Sequence, residues 1–332
     1  MNSKPLKTEL HHWWPRTLSD HWTAADGMVS VTRPNGEVDR APPGAYGGIT
    51  NAHHLKLGGP WSSTFEPVFN QADNEIGDFV RWLATLETPI DGSEKPMVDR
   101  IAAQEFPEHR VQQAARITAS LLARSPSTRH AIKLTTEYYR SRIGLGDPTA
   151  DKTLIAANQR GLYDAYRSVM ERGGRWAILF SGEKEFIAGD GFLHNFPASR
   201  NGINSGKKLV LPILPTASIV YMLPTQYPTE PRLVTFRVSA HEVETLNDIV
   251  QVYARAFLFF REQRPALGES FKLGEHQMFE YHRHAWLDGL LDDLSQYNRW
   301  RRDGAAGISS RRPYSEAGQG NLWLGGSARG AG

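Results

Sequence analysis

Three short segments hold the side chains best suited to chemistry: His11-His12, Gly189-Asp190-Gly191 and Arg124-Ser125-Pro126. Imidazole exchanges protons near neutral pH and ligates divalent metals. His11 and His12 are adjacent, so on a strand their rings point to opposite faces, and on a helix they stand about 100° apart. Such a pair is a poor clamp for one ion. Either one ring serves a site while the other packs, or both buttress Trp13, Trp14 and Trp22. Asp190 sits between two glycines after an apolar run, where a carboxylate can closely approach a ligand or metal or orient a histidine. Gly-Asp-Gly is equally good turn chemistry. Arg124 ends a helical stretch, where its charge complements the helix dipole; its planar fork could instead clamp phosphate or carboxylate. A fourth group, His276, Glu280 and His284, shares one face of a C-terminal helix. Three ligands over two turns span about 12 Å, so at most two could share an ion.

Other chemistries are excluded. The chain has no Cys, which removes disulfides, thiolate metal sites and Cys nucleophiles. It contains no Gly-x-x-x-x-Gly-Lys-Ser/Thr loop, no Gly-x-Ser-x-Gly elbow, no His-Glu-x-x-His and no Gly-x-Gly-x-x-Gly. The start, MNSKPLKTEL, lacks an apolar signal core, and no window approaches the ~20 apolar residues of a membrane span. These features predict a cytoplasmic protein with no membrane partner. Net charge is +2, but it is unevenly spread. Residues 62–99 carry eight acidic side chains against two basic, and residues 100–175 carry thirteen basic against seven acidic. This reads as two complementary solvated faces, or as a basic helical surface that steers an anionic or nucleic-acid ligand.

The elements that must position these residues follow from periodicity. The His- and Trp-rich stretch from Lys7 to Trp22 should dock into a core. Met28 to Val38 alternates as Val-Ser-Val and turns at Pro34-Asn35-Gly36, predicting a short hairpin, and 41–60, rich in Gly and Pro, predicts a long irregular loop. Helices are expected over 66–86, 108–123, 127–142 and 152–172, the last stopped by Gly173-Gly174. Strands are expected over 176–180 and 185–188, joined as a hairpin, and then over 209–214, 218–223 and 232–238, with Pro212 and Pro215 marking an edge or bulge. Ser239 and Glu242 form a capping box that starts a helix with an apolar stripe running to Phe260. A last helix is expected over 274–302. The fold class is therefore α+β: a helical layer on a small, mostly antiparallel sheet closed by a long helix. A single domain over 1–303 and a disordered Gly/Ala/Ser-rich tail over 304–332 complete the expectation.

Several segments, in order, resemble a known family. They are His11-His12-Trp13-Trp14-Pro15-Arg16, the helix carrying Phe69 to Ile76, and Leu121 through Pro126. They continue with Trp176 through Asp190, Leu211-Pro212-Ile213-Leu214-Pro215, and the helix of Asn247. Together, over about residues 10–265, they resemble the bacterial family termed domain of unknown function 4238. Its pattern is His-His-x-x-Pro, a Glu-bearing helix, Arg-Thr-Pro, Ser-Asp-Asn-Pro and Pro-Leu-Ser-Pro. Here only Asp190 remains of Ser-Asp-Asn-Pro, and Leu121 replaces a Gln. Asp73 and Glu75 both fit the acidic position. The resemblance implies that His11, His12, Arg124 and Asp190 share a site. One expectation is an intracellular hydrolase of nuclease or phosphodiesterase type, with divalent metal as the candidate cofactor. The alternative is a non-catalytic binding or sensor protein in which these segments are structural.

Overall fold

The aromatic N-terminal segment runs inward. In this computed structural model, which describes residues 8–55, 63–89, 100–144, 149–196, 206–224 and 229–275 with 284, 287–291 and 294, Trp13, Trp14 and Trp22 are all buried. Trp14 stacks on Phe259 at 5.3 Å, and Trp22 donates its indole N–H to the Ile213 carbonyl at 3.1 Å. Large rings with one polar atom bury well when that atom finds a partner.

In chain order the first elements are β1 (Leu10–His12), α1 (Arg16–Ser19), β2 (Val29–Thr32), β3 (Val38–Ala41), β4 (Gly48–Thr50), β5 (His54–Leu55) and β6 (Ser63–Thr64). The helical stretch holds α2 (Pro67–Leu83), β7 (Ile101–Gln104), α3 (Glu108–Arg124), α4 (Pro126–Arg142) and α5 (Thr149–Arg172). Then follow β8 (Arg175–Ser181), β9 (Ala188–Gly189), β10 (Leu193–His194), β11 (Lys207–Leu214), β12 (Ala217–Leu223), β13 (Leu233–Val238), α6 (Ala240–Tyr253), β14 (Leu258–Phe260) and α7 (Glu269–Lys272).

The main sheet has the order β10-β11-β12-β8-β13-β7, antiparallel except where β13 runs parallel to β8. Alternation along its strands sends side chains to two cores. Trp176, Ile178, Leu211, Ile219 and Tyr221 join the core of α2, α3 and α5. Ala177, Leu179, Val220, Val234 and Phe236 join Val243, Leu246 and Ile249 of α6, with Leu287 and Leu290. The fold is α+β, as the pattern predicts. Register shifts between Pro212 and Leu214, so the prolines mark a bulge. Ser239 and Glu242 form the predicted capping box. No helix among the described residues is long and apolar enough to cross a membrane.

Three expectations change. The predicted loop over 41–60 contains β4, which pairs with β1, and β5, which pairs with β6. These strands are too short to show alternation and exist through their partners. The hairpin over 176–188 does not form: β8 pairs with β12 and β13, while β9 joins β14 in a second sheet ordered β3-β2-β14-β9. The helix after Ser239 stops at Tyr253, and Leu258–Phe260 is strand, so Phe257 and Phe260 leave the helical stripe. Most of the helix expected over 274–302, with His276 and Glu280, and the tail over 304–332 lie outside the described residues.

Candidate metal centre

Pairing of β1 with β4 sets His11 opposite Ile49. Just past β4 the chain turns through Asn51, whose φ of 54° lies in the left-handed region that asparagine tolerates. Asn51 Oδ1 accepts the Glu9 N–H at 3.0 Å, and the Glu9 carbonyl accepts the Asn51 N–H at 2.8 Å. This turn delivers His53 and His54 beside His11. The His53 carbonyl then accepts the Phe65 N–H at 3.1 Å and the Thr64 hydroxyl at 3.2 Å, which draws in Glu66 at the head of α2.

Three buried imidazoles and two carboxylates therefore converge. His11 Nε2 lies 3.4 Å and His54 Nε2 3.3 Å from the same atom, Glu9 Oε2. His53 Nδ1 makes a short contact with Glu66 Oε2. The His11 and His53 rings stack at 5.0 Å, and His54 meets His11 edge-on at 4.6 Å. Ligating atoms of Glu9, His11 and His54 lie within 4.8 Å of one another, as do those of His11, His53 and Glu66. Glu9 is 53% exposed, so one side of the cluster opens to solvent.

Charges in the cluster are mutually adjusted. Hydrogen bonds from His54 and then His11 hold the Glu9 carboxyl below its ordinary range. Burial is the largest influence on His53 and lowers its proton affinity, with Glu66 pulling the other way. For Glu66, burial pushes upward most strongly, but His53 and the Arg124 charge leave it below the usual carboxylate range.

Comparison with models of protein families, with curated proteins and with solved structures finds no match to this chain.

The residues singled out in sequence separate into different environments. His11 belongs to the cluster. His12 is half-buried, and its carbonyl accepts from Arg124 Nη1 at 3.1 Å. Arg124 is 1% exposed, with a bidentate grip on Asp73 at 3.0 and 2.5 Å, a bond to the Ser120 carbonyl at 3.4 Å, and its guanidinium 4.7 Å from the Phe69 ring centre. It ties β1 to α2 and α3. Of the two acidic residues on α2, Asp73 thus faces Arg124, while Glu75 pairs with Arg116 at 2.9 Å. Asp190 is buried, and its carboxylate accepts backbone N–H groups of Arg255 at 2.7 Å, Ala256 at 3.1 Å and Phe257 at 3.5 Å. Burial raises its pKa and these amides lower it. Among the described residues no hydrogen bond joins it to His11 or His12. The flanking glycines admit the protein's own chain: a Cβ on Gly189 would lie 2.7 Å from Ala254 Cβ, and one on Gly191 would collide with the Tyr253 carbonyl. His284 contacts the Tyr253 hydroxyl through Nε2 at 3.4 Å.

Glu9, His53, His54 and Glu66 were missed in sequence. One signal was present, a second His-His pair inside the Gly/Pro-rich stretch.

Proposed function

We propose that this chain is a metal-dependent hydrolase of nuclease or phosphodiesterase type, in which Glu9, His11 and His54 hold one zinc-class divalent ion. The spacing of the two imidazoles from the shared Glu9 oxygen carries the reading. Groups about 2.0–2.1 Å from a tetrahedral zinc stand about 3.4 Å from each other, and Glu9 Oε2 lies 3.4 and 3.3 Å from the two Nε2 atoms. As hydrogen bonds these two contacts are long, since such bonds centre on about 2.9 Å. Two imidazoles and a carboxylate also leave a coordination position for water and substrate. The ion would stabilise charge on the phosphoryl oxygens and make water easier to deprotonate.

His53 supplies the base in this reading. Burial holds it below the ordinary histidine value, so it is neutral near pH 7, and Glu66 fixes its ring. The water oxygen bonds to phosphorus and the ester P–O bond breaks. His53 takes the water proton, and solvent protonates the leaving oxygen. A relation to the domain of unknown function 4238 family is part of the proposal. Its support is that the His-His segment, the acidic helix and the Arg segment meet beside this cluster through Arg124, Asp73 and the His12 carbonyl.

One contact favours a non-catalytic reading. His11 Nδ1 accepts the His53 N–H at 2.8 Å, so a neutral His11 carries its proton on Nε2, facing Glu9. An ion on Nε2 must displace that proton. If nothing displaces it, the rings are staples of a binding or sensor protein. Turnover of a small phosphodiester and of a single-stranded oligonucleotide, with zinc or manganese and with EDTA, separates the two. The hydrolase reading expects metal-dependent cleavage that falls by at least about tenfold in Glu9→Gln. Wild-type protein inert with every metal, or a Glu9→Gln variant of full activity, leaves only the staple reading.

A further inference from the structure

In the β1–β4 ladder Leu10 faces Thr50 and His11 faces Ile49, so the next pair outward is Glu9 with Asn51. A hydrogen-bonded antiparallel pair exchanges two backbone bonds. One is made: the Asn51 N–H donates to the Glu9 carbonyl at 2.8 Å. The return bond would run from the Glu9 N–H to the Asn51 carbonyl. At a φ of 54° the chain has already turned out of the strand, and that carbonyl accepts the His54 N–H at 3.3 Å instead. Asn51 Oδ1 takes its place and accepts the Glu9 N–H at 3.0 Å. The side chain stands in for a strand carbonyl while the backbone turns.

We propose that Asn51 is a positioning residue of the metal centre. Its Oδ1 holds Glu9 in place, and its left-handed backbone swings His54 toward the same carboxylate. The inference rests on reading Glu9, His11 and His54 as metal ligands. Extending the ladder by one pair puts Glu9 two residues from His11 and on the same face of the strand. There its Oε2 lies 3.4 Å from His11 Nε2, and the turn brings His54 Nε2 to 3.3 Å from that oxygen. Glu9 precedes β1, which begins at Leu10, and its side chain is exposed, so burial does little to fix it. The two bonds to Asn51 supply what packing does not. On the far side of the turn the His53 N–H donates to His11 Nδ1 at 2.8 Å, so both ends of the turn are tied to the β1 arm. Two requirements meet in the residue type. A left-handed φ favours Gly, Asn and Asp, and of these only Asn and Asp carry an acceptor. Groups that orient a metal ligand typically govern affinity by ten- to a hundredfold.

The test compares wild type, Asn51→Gly and Asn51→Asp as full chains, by calorimetric titration with zinc and by amide hydrogen exchange in EDTA. Asn51→Gly keeps the turn and loses the acceptor. It should bind zinc about ten- to a hundredfold more weakly, and without metal its Glu9 amide should exchange faster than in wild type. Asn51→Asp restores the acceptor and should recover both zinc affinity and slow exchange. A residue that served only the turn would leave zinc affinity unchanged in Asn51→Gly. That result, or failure of Asn51→Asp to recover affinity, would overturn the proposal. So would a wild-type Glu9 amide that exchanges at the rate of an unprotected chain, even if the glycine variant failed to fold. No zinc uptake by wild type sinks the metal reading and takes this proposal with it. Uptake that Glu9→Gln abolishes but Asn51→Gly leaves intact sinks the proposal alone.

Discussion

His194 sits fully inside the protein, with no hydrogen-bond partner for Nδ1 among the described residues. Its neighbour Tyr166, 5.7 Å away between ring centres, buries a hydroxyl that also lacks one. Burial lowers the His194 pKa to about 4 and raises that of Tyr166, because each charged form would lose its solvation. A histidine whose folded pKa is depressed binds its proton more weakly folded than unfolded. Its contribution to stability is therefore complete above the unfolded value of about 6.5 and is lost as pH falls through the folded value of about 4. The full loss is about 3 kcal/mol. Denaturant midpoints between neutral pH and about pH 4 measure it: His194→Gln should show a smaller acid loss than wild type by that amount. Parallel curves would mean that His194 does not titrate in this range. Neither residue stood out in the sequence, since a lone histidine on an apolar strand shows its environment only after folding.

At the level of elements, the bend between α6 and β14 depends on one carboxylate from another part of the chain. Asp190 takes up the amides of Arg255 to Phe257 where the helix has ended, and its own N–H donates to the Phe257 carbonyl at 3.2 Å. Asp190→Ala leaves these partly buried donors without their acceptor and should cost about 1–3 kcal/mol in a denaturant melt. If the hydrolase reading holds, turnover per folded molecule should stay close to wild type. A variant of unchanged stability and no turnover would return Asp190 to the active centre. The Gly-Asp-Gly triplet was legible as either site or turn, and the approach of Tyr253 and Ala254 to the two glycines was not legible at all. Helices were legible because their buried stripes, such as Phe69, Ala72, Ile76, Phe79 and Leu83, repeat with the helical period. Strand partners were not. β9 is two residues long and reads as the return arm of a hairpin with β8, yet its register is set by β14, some seventy residues later.

For the molecule as a whole, the three-layer body holds together residues that the chain keeps far apart. The candidate metal centre draws His11 from the first described strand and Glu9 from just before it, His53 and His54 from a turn more than forty residues on, and Glu66 from the start of α2. Its sequence trace was partial for that reason. His11 was visible as half of a pair, whereas its partners lay in a stretch whose Gly and Pro content reads as loop. Beside this cluster, buried Arg124 is paired with the partly exposed Asp73 and bonded to the His12 carbonyl, while the exposed Glu9 stands on the solvent side. Calorimetric titration of zinc into the EDTA-treated chain tests the central claim most directly. The account predicts one ion per chain and uptake lost in both Glu9→Gln and His54→Ala. Because Glu9 is exposed, its variant should keep the wild-type fold. No saturable uptake by wild type, or uptake undiminished in Glu9→Gln and His54→Ala, would contradict it.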